Sequence, residues 1–171
     1  MCIRDRHMGR LSHPLYQPDG GAPLAPSPVA AAGKVLLPDF SRTEMPTPRA
    51  MSTAEVAGLA ARYAHAARCA LDAGFDGVEI HGANGYLLEQ FLQTRTNRRT
   101  DAYGGSIENR CRVVLEITDA ITEVWGAERV GIRLSPFGIA NDSGEEDPMP
   151  LYSHLIQALD TRGLAYLHLI E

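Results

Sequence analysis

From Ser52 onward the chain repeats one pattern three times: apolar residues at three- and four-residue spacing, a glycine, then a short run rich in branched residues. In the first repeat Ser52 and Glu55 have the spacing of a capping box, in which each side chain satisfies the other residue's free backbone N–H. Val56, Leu59, Ala60, Tyr63, Ala67 and Ala70 follow as one apolar helical stripe, and Gly74 sits where a left-handed residue would stop the helix. Phe75 to His81 then reads as a buried strand. In the second repeat Ser106 can cap a helix carrying Ile107, Cys111, Val114, Leu115, Thr118, Ile121 and Trp125 on one face; Gly126 ends it, and Arg129 to Leu134 is the strand. In the third, Pro150 to Arg162 carries Leu151, Leu155, Ile156 and Leu159, Gly163 stops the helix, and Leu164 to Ile170 is the strand. Such alternation requires right-handed crossovers and predicts an α/β fold with a parallel sheet, either open and doubly wound or closed as a barrel.

Upstream of the repeats, eight of the 11 prolines fall between Pro14 and Pro48, so the stretch from Leu11 to Ala50 cannot be regular helix or central strand. It reads as a long loop, with Val35-Leu36-Leu37 as half of a small hairpin. The composition, 44% hydrophobic and 22% charged, excludes a disordered or collagen-like chain. Nothing approaches the roughly 18 apolar residues of a membrane span, and no secretory signal pattern opens the chain, so no membrane partner and a cytoplasmic location are expected. A net charge of −5 argues against a nucleic-acid partner. Cys2, Cys69 and Cys111 are far apart and include no C-x-x-C pair, so neither a disulfide framework nor a metal site is expected.

In parallel α/β folds ligands sit at the carboxyl ends of the strands, so unusual polar residues there are functional candidates. His81 ends the first strand and opens His81-Gly82-Ala83-Asn84-Gly85-Tyr86. On these residues alone, a satisfied core histidine and a helix-capping asparagine are the simpler reading. Arg133 lies between Ile132 and Leu134 and by alternation points to the opposite face from both. Burying that charge unpaired would cost several kcal/mol. Its partner is either an electron-rich ligand inside a barrel or an inward carboxylate such as Glu79. The basic run Thr94 to Thr100 reads as a solvated loop, with screening of a site mouth as the functional alternative. No glycine loop has nucleotide-binding spacing.

Longer strings are more specific. His81 to Leu92, and Asn97-Arg98-Arg99-Thr100-Asp101-Ala102-Tyr103-Gly104-Gly105-Ser106-Ile107-Glu108-Asn109-Arg110, closely resemble the Old Yellow Enzyme family of FMN-dependent ene-reductases. His7 to Pro14, Gln17 to Gly20, Val130 to Pro136 and Gly163 to His168 match the same family in the same order. The resemblance implies a (β/α)8 TIM barrel that binds FMN and passes hydride from NAD(P)H to small activated alkenes such as enones, maleimides or nitro compounds. It implies that His81 and Asn84 bind the substrate's carbonyl or nitro oxygen, that Tyr86 delivers a proton, and that Arg133, with His81, contacts the flavin. These residue types suit the roles: two fixed donors stabilise charge that develops on oxygen, a phenol with an ordinary pKa of about 10 is protonated at neutral pH, and an arginine stays cationic beside an anionic reduced flavin.

The sequence also departs from that family. The block beginning at His7 should follow an apolar barrel strand, whereas residues 1–6 read Met1-Cys2-Ile3-Arg4-Asp5-Arg6, without a strand pattern, and are expected to be an extraneous leader. Such barrels take about 250 residues, so residues 7–171 are expected to be the central fragment of a single FMN-binding domain, from the end of the third barrel strand through the sixth. The turn and arginine that hold the FMN phosphate in the family find no counterpart, so the chain by itself is expected to bind FMN poorly or not at all. The alternatives are a non-catalytic barrel fragment or another flavin barrel, such as a dihydroorotate dehydrogenase or dihydrouridine synthase. The His-x-x-Asn-x-Tyr spacing argues against the last two.

Overall fold

The computed structural model describes residues 2–170. Cys2–Asp5 forms β1, and four short strands follow: β2 (Leu24–Ala25), β3 (Lys34–Leu36), β4 (Arg42–Glu44) and β5 (Arg49–Ala50). Then come α1 (Thr53–Ala57), α2 (Leu59–Asp72), β6 (Gly77–Gly82), α3 (Leu87–Leu92), α4 (Ile107–Trp125), β7 (Val130–Leu134), α5 (Pro148–Asp160) and β8 (Tyr166–Leu169). The main sheet is parallel, in the order β1-β6-β7-β8. The expected α/β alternation and parallel pairing are therefore present.

The helix ends form as their residue types dictate. Ser52 accepts from the Glu55 N–H at 3.2 Å while Glu55 accepts from the Ser52 N–H at 2.7 Å, completing the capping box. The single helix expected from there is split at Gly58, the residue with the poorest helix propensity in the stretch apart from proline. Ser106 caps α4 through the Asn109 N–H, and Gly74 and Gly163 take the left-handed backbone expected after α2 and α5. In the proline-rich stretch β3 and β4 pair as the expected small hairpin, and β2 pairs in parallel with β5.

Residues 2–5, which carry no strand pattern in their sequence, nevertheless form a strand, pairing in parallel with β6 from Cys2↔Gly77 to Asp5↔Ile80. Only Ile3 in that segment is apolar and partly buried against the core, so side-chain alternation carries almost no signal; the pairing rests on backbone bonds to the β6 edge and on the Arg4–Glu79 ion pair.

The sheet has two chemically different faces. Val78, Ile80, Val130, Ile132 and Leu134 join apolar residues of α2, α4 and α5 in one core. The Trp125 indole N–H donates to the Ala67 carbonyl at 3.0 Å, tying α4 to α2 within it. On the alternate positions, Arg4 stands beside Glu79, Glu79 beside Gly131, and Gly131 beside Tyr166; one step further, His81 stands beside Arg133 and Arg133 beside His168. Gly131 is required here by close approach, because a Cβ at this position would run into the Tyr166 ring. Among the described residues no helix is long and apolar enough to cross a membrane, and no group of three His, Cys, Asp or Glu residues could hold a metal ion.

Candidate active site

The carboxyl ends of β6 and β7 bring together the candidates from the sequence. His81 is 3% exposed, and its ring centroid lies 5.0 Å from that of Tyr86 at a 45° tilt. The Arg6 guanidinium sits 4.7 Å from the Tyr86 ring centroid, in cation–π range. Burial, followed by the positive charges of Arg4, Arg133 and Arg6, lowers the His81 imidazole to about 4, so it is neutral at neutral pH. A neutral imidazole keeps one N–H to donate. His81 Nδ1 is buried with no hydrogen-bond partner among the described residues, and so is Arg133 Nε.

The alternative of an Arg133–Glu79 pair does not form. The Glu79 carboxylate accepts instead from Arg4 at 3.0 Å and from the Tyr166 hydroxyl at 3.1 Å, and it bonds His168 Nδ1 at 3.0 Å. Burial pushes this carboxyl up, and those three contacts outweigh it and hold it below its ordinary value. Glu79 is satisfied one layer below Arg133, which leaves the arginine for another partner.

Asn84 and Gly85 are consecutive left-handed residues, with φ of 56° and 76°. Two such residues reverse the chain between β6 and α3 and set Asn84 and Tyr86 at the strand end, a conformation that suits glycine and that asparagine tolerates. Among the described residues Asn84 bonds through its backbone: its N–H donates to Ser135 Oγ at 2.8 Å, and its carbonyl accepts from the Asn141 side chain at 2.8 Å.

Several residues that shape this site were not singled out by sequence reasoning. Glu89, fully buried in α3, accepts from Ser135 Oγ at 2.6 Å, from the Tyr152 hydroxyl at 2.9 Å and from the Gly85 N–H. Gln90 donates to the carbonyls of Gly85 and Met8 and accepts from the Arg10 N–H. Arg10, 1% exposed, spreads its guanidinium over the carbonyls of Val29 and Ala30 on one side and Asn141 and Asp142 on the other. A glutamate and a glutamine inside the otherwise apolar run Leu87 to Leu92 were the available signal.

The basic run is less solvated than expected. Thr96 and Asn97 are buried and bond carbonyls of Gln90, Phe91 and Tyr103, while Arg99 pairs with Asp101 and Arg95 reaches the Ser143 carbonyl. These side chains fasten loops to one another.

The chain is 42% identical over 172 residues to 12-oxophytodienoate reductase 7 of Oryza sativa subsp. japonica, covering 96% of the chain and 44% of that protein. It is 46% identical over 167 residues to a probable flavin mononucleotide-dependent alkene reductase of Leishmania infantum, covering 95% and 46%. A solved structure of morphinone reductase in complex with tetrahydroNAD superposes with a TM-score of 0.91 at 50% identity, covering 98% of the chain and 48% of that structure. The chain thus spans less than half the length of each. Residues 6–171 match the model of the NADH:flavin oxidoreductase / NADH oxidase family, and the chain belongs to that family, the Old Yellow Enzyme group that its motifs resemble.

Proposed function

We propose that the chain is part of an FMN-dependent ene-reductase that uses NAD(P)H to reduce activated alkenes such as enones, maleimides or nitro compounds. In this reading β1, β6, β7 and β8 occupy part of a (β/α)8 barrel with the polar face turned inward, and residues 7–171 are the central part of that domain. The family match begins at residue 6, the last residue of the expected leader 1–6, so it supports the leader reading for the residues before Arg6; Cys2–Asp5 run extended beside β6.

The observation that carries the proposal is the pair of buried, unpartnered ring and guanidinium nitrogens, His81 Nδ1 and Arg133 Nε, on residues adjacent in register at the carboxyl ends of β6 and β7. Buried polar groups are almost always satisfied, so this pair fits a bound ligand, with Arg133 Nε facing an acceptor-rich edge such as a flavin provides and the single imidazole N–H of His81 facing the substrate oxygen. FMN, when bound, supplies the hydride chemistry.

The protein's residues do the rest. Arg133 presents a guanidinium, which favours an anionic partner at the flavin edge. His81, neutral in its buried position, and the side-chain amide of Asn84 donate to the substrate oxygen without protonating it, and these donors are worth most where charge develops. Tyr86 holds the proton that is delivered to the substrate carbon. Replacing His81→Ala together with Asn84→Ala in the complete, flavin-loaded parent protein should lower enone turnover about a hundredfold or more and leave the flavin bound. Unchanged turnover would refute these roles, and a flavin-loaded wild type inactive on every enone, maleimide and nitroalkene tested would refute the function.

A further inference from the structure

We infer that Glu89 is the positioning residue for Asn84: one buried carboxyl group fixes the left-handed turn that sets the substrate-oxygen donor beside His81, and ties that turn to β7 and α5. The inference rests on the role proposed above for Asn84.

Three donors converge on this side chain from three different elements. The Gly85 N–H comes from the turn itself, Ser135 Oγ from the end of β7, and the Tyr152 hydroxyl from α5. Ser135 has a fixed polarity, because it accepts from the Asn84 N–H at 2.8 Å and donates its own proton to Glu89 Oε1 at 2.6 Å. Asn84 and Gly85, the two positive-φ residues of this turn, are therefore held through one carboxyl, the first by way of Ser135 and the second directly. Burial pushes the Glu89 carboxyl above its ordinary value against the pull of these bonds. Glu89 is fully buried, and Tyr152 and Ser135 are 3% and 1% exposed, so water does not compete for the acceptors. A buried network in which every member is satisfied specifies one geometry. An asparagine has no intrinsic preference strong enough to hold a left-handed conformation unaided; here the backbone bonds on both sides of it supply the constraint.

The role is one of positioning, since Glu89 touches neither the substrate-facing amide nor the Tyr86 ring. Glu89→Met keeps the side-chain length and removes every acceptor. Ser135→Ala removes only the link to Asn84 and leaves Gly85 bonded to Glu89. Amide hydrogen exchange, read residue by residue, is expected to rise about tenfold or more at Asn84 and Gly85 in Glu89→Met and at Asn84 alone in Ser135→Ala, with Ile80 and Ile132 in the strands unchanged. In the complete, flavin-loaded parent protein, the dissociation constant for the phenolic probe 4-hydroxybenzaldehyde, read by the change in flavin absorbance, should rise about tenfold in Glu89→Met, equivalent to about 1.4 kcal/mol, at unchanged flavin content. Unaltered exchange at Asn84 and Gly85 overturns the inference, as does faster exchange with an unaltered dissociation constant. A wild-type protein that holds flavin but not the phenol counts against the role of His81 and Asn84 themselves, and the exchange comparison still decides that of Glu89.

Discussion

The Tyr166 hydroxyl lies 3.1 Å from Glu79 Oε2 although a whole strand separates the two residues. The bond crosses β7 at Gly131, where there is no side chain to obstruct it. Gly131→Ala puts a methyl group into the Tyr166 ring and should destabilise the protein by about 1–3 kcal/mol, measured as a lower denaturant midpoint at unchanged slope. Combining it with Tyr166→Ala removes the obstruction. The double variant should lose clearly less stability than the sum of the two singles. Additive losses would show that the ring and the glycine do not constrain each other.

His81 should titrate near 4 by NMR of its ring protons. The folded protein then binds fewer protons than the unfolded chain between that value and the ordinary histidine pKa of about 6.5. Stability contributed by keeping His81 neutral is therefore complete above about 6.5 and is lost as pH falls from there toward 4. A measured pKa at or above the ordinary value would contradict the burial and the arginine charges read from the structure.

Arg10 holds four carbonyls of two loops through one planar fork, and burial lowers its pKa against the opposing charge of Asp142. A lysine ammonium cannot span both pairs of carbonyls. Arg10→Lys should lower stability by about 2 kcal/mol, the scale of hydrogen bonds to a charged group, read as a lower melting temperature. A variant that melts with the wild type would show that the loops do not depend on the fork.

The three cysteines should separate by reactivity. Cys2 and Cys69 are exposed, whereas Cys111 is buried in α4 and its thiol is pushed up to about 12 by burial. Iodoacetamide at neutral pH should label Cys2 and Cys69 in the native protein and reach Cys111 only in denaturant. Rapid native labelling of Cys111 would contradict the packing of α4 against the sheet.

What could be read from the sequence follows the range of the interaction concerned. Ser52, Ser106, Gly74 and Gly163 act on backbone within a turn of themselves, and each was placed correctly from its immediate neighbours. The outward turn of Arg133 from Ile132 and Leu134 is equally local, since alternation along a strand needs no partner. Its choice between Glu79 and a ligand depends on Tyr166 and His168, about 90 residues from Glu79 in the chain, and spacing alone could not settle it. The helix Leu87–Leu92 is buried on every side, Glu89 and Gln90 included, so it has no polar face to reveal its period. The strand Cys2–Asp5 is invisible for the opposite reason, having scarcely any apolar residue to alternate.

The two-faced sheet also bears on what failure looks like. Along β6 and β7 the core residues and the site residues occupy opposite parities of the same strands, Ile80 next to His81 and Ile132 next to Arg133. A register slip of a single residue would exchange the two sets, pushing a guanidinium toward the helices and an isoleucine onto the polar face. Errors in strand pairing are thereby coupled to a large loss of stability. A molecule that has settled its core has also, by the same step, aimed its chemistry.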